Sequence, residues 1–323
     1  MSTPQPAVEV IVRPLVEGDL DGAERIIRLA FGTFLGLSDP LRFMGDAGYA
    51  HTRFRADPAA ALGAERNGEL IGSNFVTDWG SFGFFGPLAV HPEHWNRGVA
   101  QQLVAAAMEI FRRRKNRHLG LFTFSNSPKH MALYQKFGFW PRDLVAIMDR
   151  ELTGAQRERP RESSHFSQAN PEERVQVRSA CREVANLNFE GLDIDLEIRA
   201  VAEQGLGDTI LLWSGASLAG FAICHVGAGT EAGSGVCYVK FAAVRPGPRA
   251  EVTFSQLLDA CEFLAGACGA RKITLGVNLA RREAFRELSG RGFRTQMQGV
   301  AMETGDASDG YNHAGVYILD DWR

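Results

Sequence analysis

The stretch Gly86–Leu103 reads GPLAVHPEHWNRGVAQQL, and its interpretation decides the fold. It opens on apolar residues at strand spacing, turns at His91-Pro92, passes Gly98 and closes on an amphipathic helix that begins near Val99. The first turn of a helix carries backbone N–H groups without intrahelical acceptors, and the helix dipole adds positive potential there. Gly98 lets the backbone approach a ligand closely, and small Ala100 keeps the helix start uncrowded. A diphosphate fits such a corner, on the amides of Arg97 through Gln102, with Arg97 adding a charge. A strand, a glycine loop and a helix also occur together without any phosphate, so the corner by itself does not decide the chemistry.

Working outward, the pattern alternates strand and helix. Val8–Val12 reads as a strand, and Leu20–Phe34 carries apolar residues at helical spacing. Leu35–Asp57 is less regular and helical in part. Ala61–Arg66 and Glu69–Thr77 are strands joined by Asn67-Gly68, a strong hairpin-turn signal. Ser81–Val90 reads as one strand, Val99–Arg114 as a helix and Leu119–Phe124 as a strand. Ser127-Pro128 opens a helix, with Ser as N-cap and Pro in the first position, and Leu144–Met148 closes the half as a strand.

The polar run Thr153–Ser164, TGAQRERPRESS, is a linker, after which the plan repeats. Helix Glu172–Leu187 leads to strands near Ile210–Trp213 and Leu218–Val226, a glycine-rich hairpin over Gly227–Gly235 and strand Val236–Val244. Helix Thr253–Ala267, strand Lys272–Val277 and helix Arg281–Ser289 follow. Val90 and Val244, Pro92 and Pro246, Leu103 and Leu257, Leu121 and Leu275, Phe139 and Phe293, and Met148 and Met302 are identical pairs at one constant offset. Duplication of one α/β unit explains this, and it divides the chain into 1–152, a linker at 153–164 and 165–323.

Composition agrees. A chain of 323 residues with 45% hydrophobic and 23% charged residues is ordinary for globular protein and long enough for two cores. A net charge of −3 argues against a dedicated nucleic-acid binder. The five cysteines all fall in the second half without CxxC spacing, which reads as reduced thiols. No apolar run is long enough for a membrane span, and the N-terminus lacks the charged and apolar regions of a signal peptide, so the expectation is a cytoplasmic protein. His91 and His94 stand three apart with no further ligand pattern, so no metal is expected. The basic run at Arg112–Lys115 reads as a solvated helix end.

The second informative element is Ser127–Trp140, SPKHMALYQKFGFW. Tyr134 sits near the end of its helix. Its phenol can give a proton to a leaving thiolate, and it reads equally as a half-buried Tyr bonded to backbone. Taken together and in this order, the two elements resemble the GNAT acyltransferase superfamily. The first motif of that family is matched by Val90-His91-Pro92 and by Trp95 through Ala100. The second, Y-x-x-x-G-F, is matched by Tyr134 through Phe139. The departure is Trp95, where the family usually has Arg or Gln. The resemblance is clear over about residues 8–150 and weaker over 165–323.

The resemblance implies two tandem GNAT-like α/β (α+β) domains, each a mixed, mostly antiparallel twisted sheet flanked by helices. It implies acetyl-CoA as cosubstrate, without a metal, held by the backbone of Leu88, Ala89 and Val90 and by Arg97, Gly98, Val99, Ala100 and Gln102, with Tyr134 facing the sulfur. The implied reaction is direct attack by the amine of a small molecule or an amino terminus. An alkylamine must first lose its proton, so a base is needed. Ser81–Val90 holds no carboxylate, which makes Asp78 the first candidate base, ahead of Glu93 and His130. The alternative is a non-catalytic acyl-CoA-binding sensor or interaction module. A homodimer is compatible with the sequence.

The second copy departs further. Arg249 through Phe254 stand opposite the loop, with no glycine, a bulky Phe254 against Ala100, a negative Glu251 against Arg97, and Leu288 against Tyr134. Bulk, charge and the missing phenol all oppose acetyl-CoA there, so the cosubstrate site is expected in the N-terminal copy and the second is read as degenerate.

Overall fold

A computed structural model describes residues 9–152, 158–305 and 310–323. The expected N-terminal lead, Val8 and the stretch 153–157 of the linker lie outside the described residues. In the first half, strand β1 (Ile11–Pro14) precedes helices α1 (Leu20–Phe34) and α2 (Ala50–Ala56). Strands β2 (Ala61–Arg66) and β3 (Glu69–Trp79) form the expected hairpin, with Asn67 and Gly68 at φ 55° and 79°, the left-handed pair that a tight two-residue turn requires. Then come β4 (Phe82–Phe85), β5 (Ala89–Val90), α3 (Val99–Arg114), β6 (His118–Thr123), α4 (Pro128–Gln135) and β7 (Trp140–Glu151). Ser127 holds the N-cap position of α4 with Pro128 behind it, yet its hydroxyl makes no capping hydrogen bond.

The second half runs β8 (Ser163–His165), α5 (Pro171–Asn188), α6 (Asp195–Gln204), β9 (Gly207–Ser214), β10 (Ser217–Gly227), β11 (Gly233–Val244), α7 (Ala250–Ala267), β12 (Lys272–Asn278), α8 (Arg282–Gly290), β13 (Arg294–Glu303) and β14 (Ile318–Leu319). The repeat is visible in the register. β4 and β6 pair in parallel with Phe82 opposite His118, and β11 and β12 pair in parallel with Val236 opposite Lys272, both partners displaced by the same offset the sequence shows.

Ser81–Val90 is not one strand. Pro87 has no N–H to give to a ladder, and Gly86 turns its own N–H back to the Phe75 carbonyl at 2.8 Å. β4 therefore pairs Val76–Trp79 of β3, whereas β5 leaves β6 and pairs only Gly72 and Ser73. The result is a split beside β6, opened at Gly86.

The strands form one sheet along the path β1-β2-β3-β4-β6-β13-β7-β12-β11-β10-β9-β8. Its centre is exchanged between the halves. β13, from the second copy, lies between β6 and β7 of the first, with Val300 opposite Thr123 on one side and opposite Leu144 on the other. β7, from the first copy, pairs the whole length of β12, from Lys272–Glu151 to Asn278–Val145. Buried His118 and Glu303 bond at 2.8 Å across the β6–β13 seam.

Each half thus completes its sheet with backbone from the other, so neither can satisfy its own N–H and C=O groups alone. Residues 1–152 expressed alone should show no cooperative unfolding transition, whereas the full chain should melt as one unit in calorimetry. A fragment that melts cooperatively near the full-length temperature would contradict the exchange.

Candidate active site

The site is built around the split. On one face of the sheet, α3 packs Val99, Leu103, Val104, Ala107 and Phe111 against β3, β4 and β6. The loop before α3 carries Asn96 at φ 63° and Gly98 at φ 79°, two left-handed residues on either side of Arg97. Such a sequence turns successive N–H groups toward one concavity. No side chain caps α3, and among the described residues no acceptor serves the amides of Arg97, Gly98, Val99, Ala100 or Gln101. A Cβ built at Gly98 would meet nothing within 4 Å. Arg97 and Gly98 are exposed, and Val99 is buried beneath them. This open rim of unspent donors fits a diphosphate.

One of the expected contacts needs correction and one is narrowed. The Gln102 amide bonds the Gly98 carbonyl at 3.3 Å, as the fourth residue of a helix should, so the free donors end at Gln101. The Val90 carbonyl already accepts the Trp95 indole N–H at 2.7 Å, which leaves it one lone pair for a ligand. Ala89 is buried and paired to β3, while Leu88 lies between β4 and β5, outside both ladders. Trp95 also receives the Lys129 ammonium, 5.6 Å above its ring, and so ties the loop to the start of α4.

Tyr134 is buried where α4 returns to the end of β6, with its ring 5.8 Å from that of Phe85. Burial raises its pKa far above the ordinary value, and a hydrogen bond with Thr123 opposes this only in part. The phenol therefore holds its proton at neutral pH and is present as a hydrogen-bond donor to a thiolate formed beside it.

Asp78 is not brought to Tyr134. It accepts from Asn116 Nδ2 at 2.8 Å and from the Gly80 amide at 2.9 Å, near the first residue of β6, whereas Tyr134 meets the last. Its carboxylate pins the β3–β4 turn, and the structure gives it no place among the bases. Glu93 is exposed on the loop after β5. Among the described residues no group of three or more His, Cys, Asp or Glu side chains could hold a metal, and no helix is long and apolar enough to cross a membrane.

The equivalent corner of the second half is built differently. α7 starts at Ala250, a turn earlier than the repeat predicts, and its Thr253 amide is already spent on the Arg249 carbonyl. Phe254 and Leu288 are fully buried in the core at the places of Ala100 and Tyr134.

A cluster of charges that sequence reading missed lies behind the split. Arg53 of α2 donates to both oxygens of Glu231, at 3.0 and 3.1 Å, and to the carbonyls of Gly86 and Arg323. Lys240 reaches Glu231 at 2.8 Å and Glu197 at 3.0 Å, and Glu197 takes the Trp79 indole N–H at 3.2 Å. All four charged side chains are buried. Burial opposes ionisation of Glu231, but Arg53 and Lys240 outweigh it and hold the carboxyl far below its ordinary range. His225, buried beside them, keeps both ring nitrogens unpaired, and burial followed by Lys240 pushes its pKa down to about 3. A cavity of about 20 Å³ lies among these groups. The one signal in the sequence is Lys240 itself, a charge in mid-strand between Val239 and Phe241.

Removing one partner of a buried pair strands the other. Glu231→Ala should cost about 3–5 kcal/mol in denaturant unfolding. Because the folded pKa of Glu231 is depressed, its contribution is complete above the ordinary value of 4.5 and is lost only as pH falls toward the folded value. A wild-type minus variant difference already gone at pH 6 would contradict this assignment.

Comparison with known proteins agrees with the geometry. Residues 30–139 match the family model of the acetyltransferase (GNAT) family. No curated protein matches the chain. Among solved structures, a candidate acetyltransferase from Pyrococcus horikoshii superposes with TM-score 0.69 at 15% identity, covering 100% of this chain and 98% of that one. A GCN5-related N-acetyltransferase from Sphaerobacter thermophilus gives 0.58 at 16% identity, over 91% and 95%. A tandem GNAT protein from the clavulanic acid biosynthesis pathway gives 0.54 at 15%, over 93% and 100%. The likenesses establish the fold: a mixed sheet flanked by helices, of the tandem type.

Proposed function

From a GNAT acetyltransferase-family domain at residues 30–139, in a chain with the tandem fold of that family, we propose an N-acetyltransferase that moves an acetyl group from acetyl-CoA to the amine of a small molecule or an amino terminus. The observation that carries this reading is the open rim of amides from Arg97 to Gln101 beside Gly98. These amides and the Arg97 side chain would hold the diphosphate, with Leu88 and Ala89 lining the approach. Bound there, acetyl-CoA supplies an activated acyl group on a sulfur that leaves readily once protonated. Tyr134 keeps the proton that this sulfur needs.

In this reading the working unit is 1–152 and the unit 165–323 is a degenerate copy. The second copy retains the sheet but has filled its corner with the extra turn of α7, Phe254 and Leu288. It contributes β13 and the Glu231–Lys240 cluster instead of a second site. The protein acts in the cytoplasm.

Acetyl-CoA at about 100 times its dissociation constant should stabilise the chain by roughly 2.7 kcal/mol, seen as a rise in melting temperature. Gly98→Glu should abolish that rise, both by charge and by forcing a side chain onto a left-handed residue, whereas Val252→Trp should leave it intact. Equal effects of the two would defeat the asymmetry between the copies. Tyr134→Phe should lower turnover by a factor of about 100 or more with little change in acetyl-CoA affinity. Unchanged turnover would remove Tyr134 from the acid role.

A further inference from the structure

His130 and Tyr134 stand one turn apart on the same face of α4, the spacing at which helical side chains are neighbours. Tyr134 packs beside Phe85 near the split, and His130 packs against a cleft of aromatic rings at its outer end. Phe43 stacks on Phe31 at 5.3 Å, Phe31 meets Phe124 at 6.1 Å, Phe124 meets Phe34 at 4.7 Å, and Phe34 meets the His130 ring at 4.8 Å. Phe124 directly follows Thr123, the residue bonded to Tyr134, and its ring lies 6.1 Å from that of His130, so the rings meet α4 one turn before Tyr134. Its rings are only partly covered. Phe34 is 38% exposed, and Leu35, Leu37 and Leu41 beside it are 44%, 41% and 37% exposed. Apolar surface of this kind, gathered beside a reactive group, is what an apolar ligand would cover.

We propose that this aromatic cleft seats the acceptor, that the acceptor is a primary amine carried on an aromatic group, and that His130 takes the proton the amine loses. The proposal rests on the acyl-transfer reading above and deepens it. Rings wall the cleft from α1, from the loop after it and from the end of β6, and the carboxylate in that loop, Asp39, is already engaged by Arg42 at 3.6 Å and by the Leu41 amide at 3.2 Å. An arriving ammonium is held instead by ring faces.

His130 suits the base role. Its Nδ1 is buried without a partner, so no hydrogen bond commits the imidazole to another task. α1 and β6 present Phe34 and Phe124 to it, and the charge it feels is that of Lys129 on its own helix. Burial first, and Lys129 second, push its pKa below the ordinary 6.5, so it is neutral and able to accept at physiological pH. The balance closes. The amine nitrogen bonds the thioester carbonyl carbon as the carbon–sulfur bond breaks. The arriving ammonium gives its first proton to His130, which passes it to solvent before attack; the second, left surplus on nitrogen as the new bond forms, passes to the same imidazole, and the Tyr134 proton passes to the leaving sulfur.

The test uses the full chain and two probes, 2-phenylethylamine and spermidine, with binding read by calorimetry and transfer by release of free thiol. Phenylethylamine should bind at least tenfold more tightly than spermidine. Phe34→Ser should weaken it at least fivefold while leaving the affinity for acetyl-CoA unchanged. The pH profile of kcat/KM should carry an acid limb with its midpoint below 6.5, because protonation removes the base as pH falls. His130→Gln should abolish that limb and lower kcat by about 100-fold. Equal binding of the two amines, or no effect of Phe34→Ser, would overturn the aromatic seat, and a limb surviving in His130→Gln would overturn the base. Ranked binding without any transfer would instead sink the acyl-transfer reading, and His130's role with it, while the seat stood.

Discussion

One guanidinium holds three distant segments in register. Arg53 comes from the first half, Glu231 from the glycine-rich hairpin of the second, and the carbonyls of Gly86 and Arg323 from the split and from the last strand's extension. A buried charge is expensive, and here it is matched by a bidentate carboxylate and two carbonyls, the planar set that arginine satisfies and lysine does not. The carbonyl of Gly86 is the point where β4 stops and β5 departs. Arg53 therefore fixes the geometry of the opening through a partner supplied by the other copy. The same hairpin reaches the first half a second time. Ser234 donates both its amide and its hydroxyl to Asp46, and Gly48 gives its N–H to the Thr230 carbonyl.

The two copies differ where chemistry would demand it. In the first, a pair of left-handed residues delays the helix until Val99 and leaves its donors facing outward. In the second, helix formation begins at Ala250 and consumes the same stretch. Glycine costs a helix about 1 kcal/mol relative to alanine. Val252 stands where Gly98 would, so the second copy carries no such cost at this position. The tolerance of one copy and the openness of the other are two outcomes of one local choice.

Much of this was legible in the residues. The periodicity over Leu20–Phe34, the Asn67-Gly68 turn and the loop at Gly98 are local signals, and the structure has α1, the β2–β3 hairpin and α3 at those places. The break in Ser81–Val90 was present in Pro87 but masked by the apolar run around it. Asp78 looked available because its partner Asn116 lies 38 positions away. β13 was not recognised at all: Arg294–Glu303 begins with exposed polar residues and is buried only toward its end, where it pairs β6 as well as β7. Pairing across the halves leaves no mark in sequence periodicity, which reports which face is buried and not against what. Likewise, nothing local announces that Arg53 and Glu231, 178 positions apart, will share a hydrogen bond.

The exchange of β7 and β13 has a consequence for how such a chain assembles. A single copy of the repeat would leave a vacancy beside its sixth strand that only another copy could fill, and its folding would then depend on protein concentration. Joining two copies through a short segment replaces that encounter with an intramolecular one, at an effective concentration in the millimolar range. The fused pair behaves as a dimer that cannot be diluted apart.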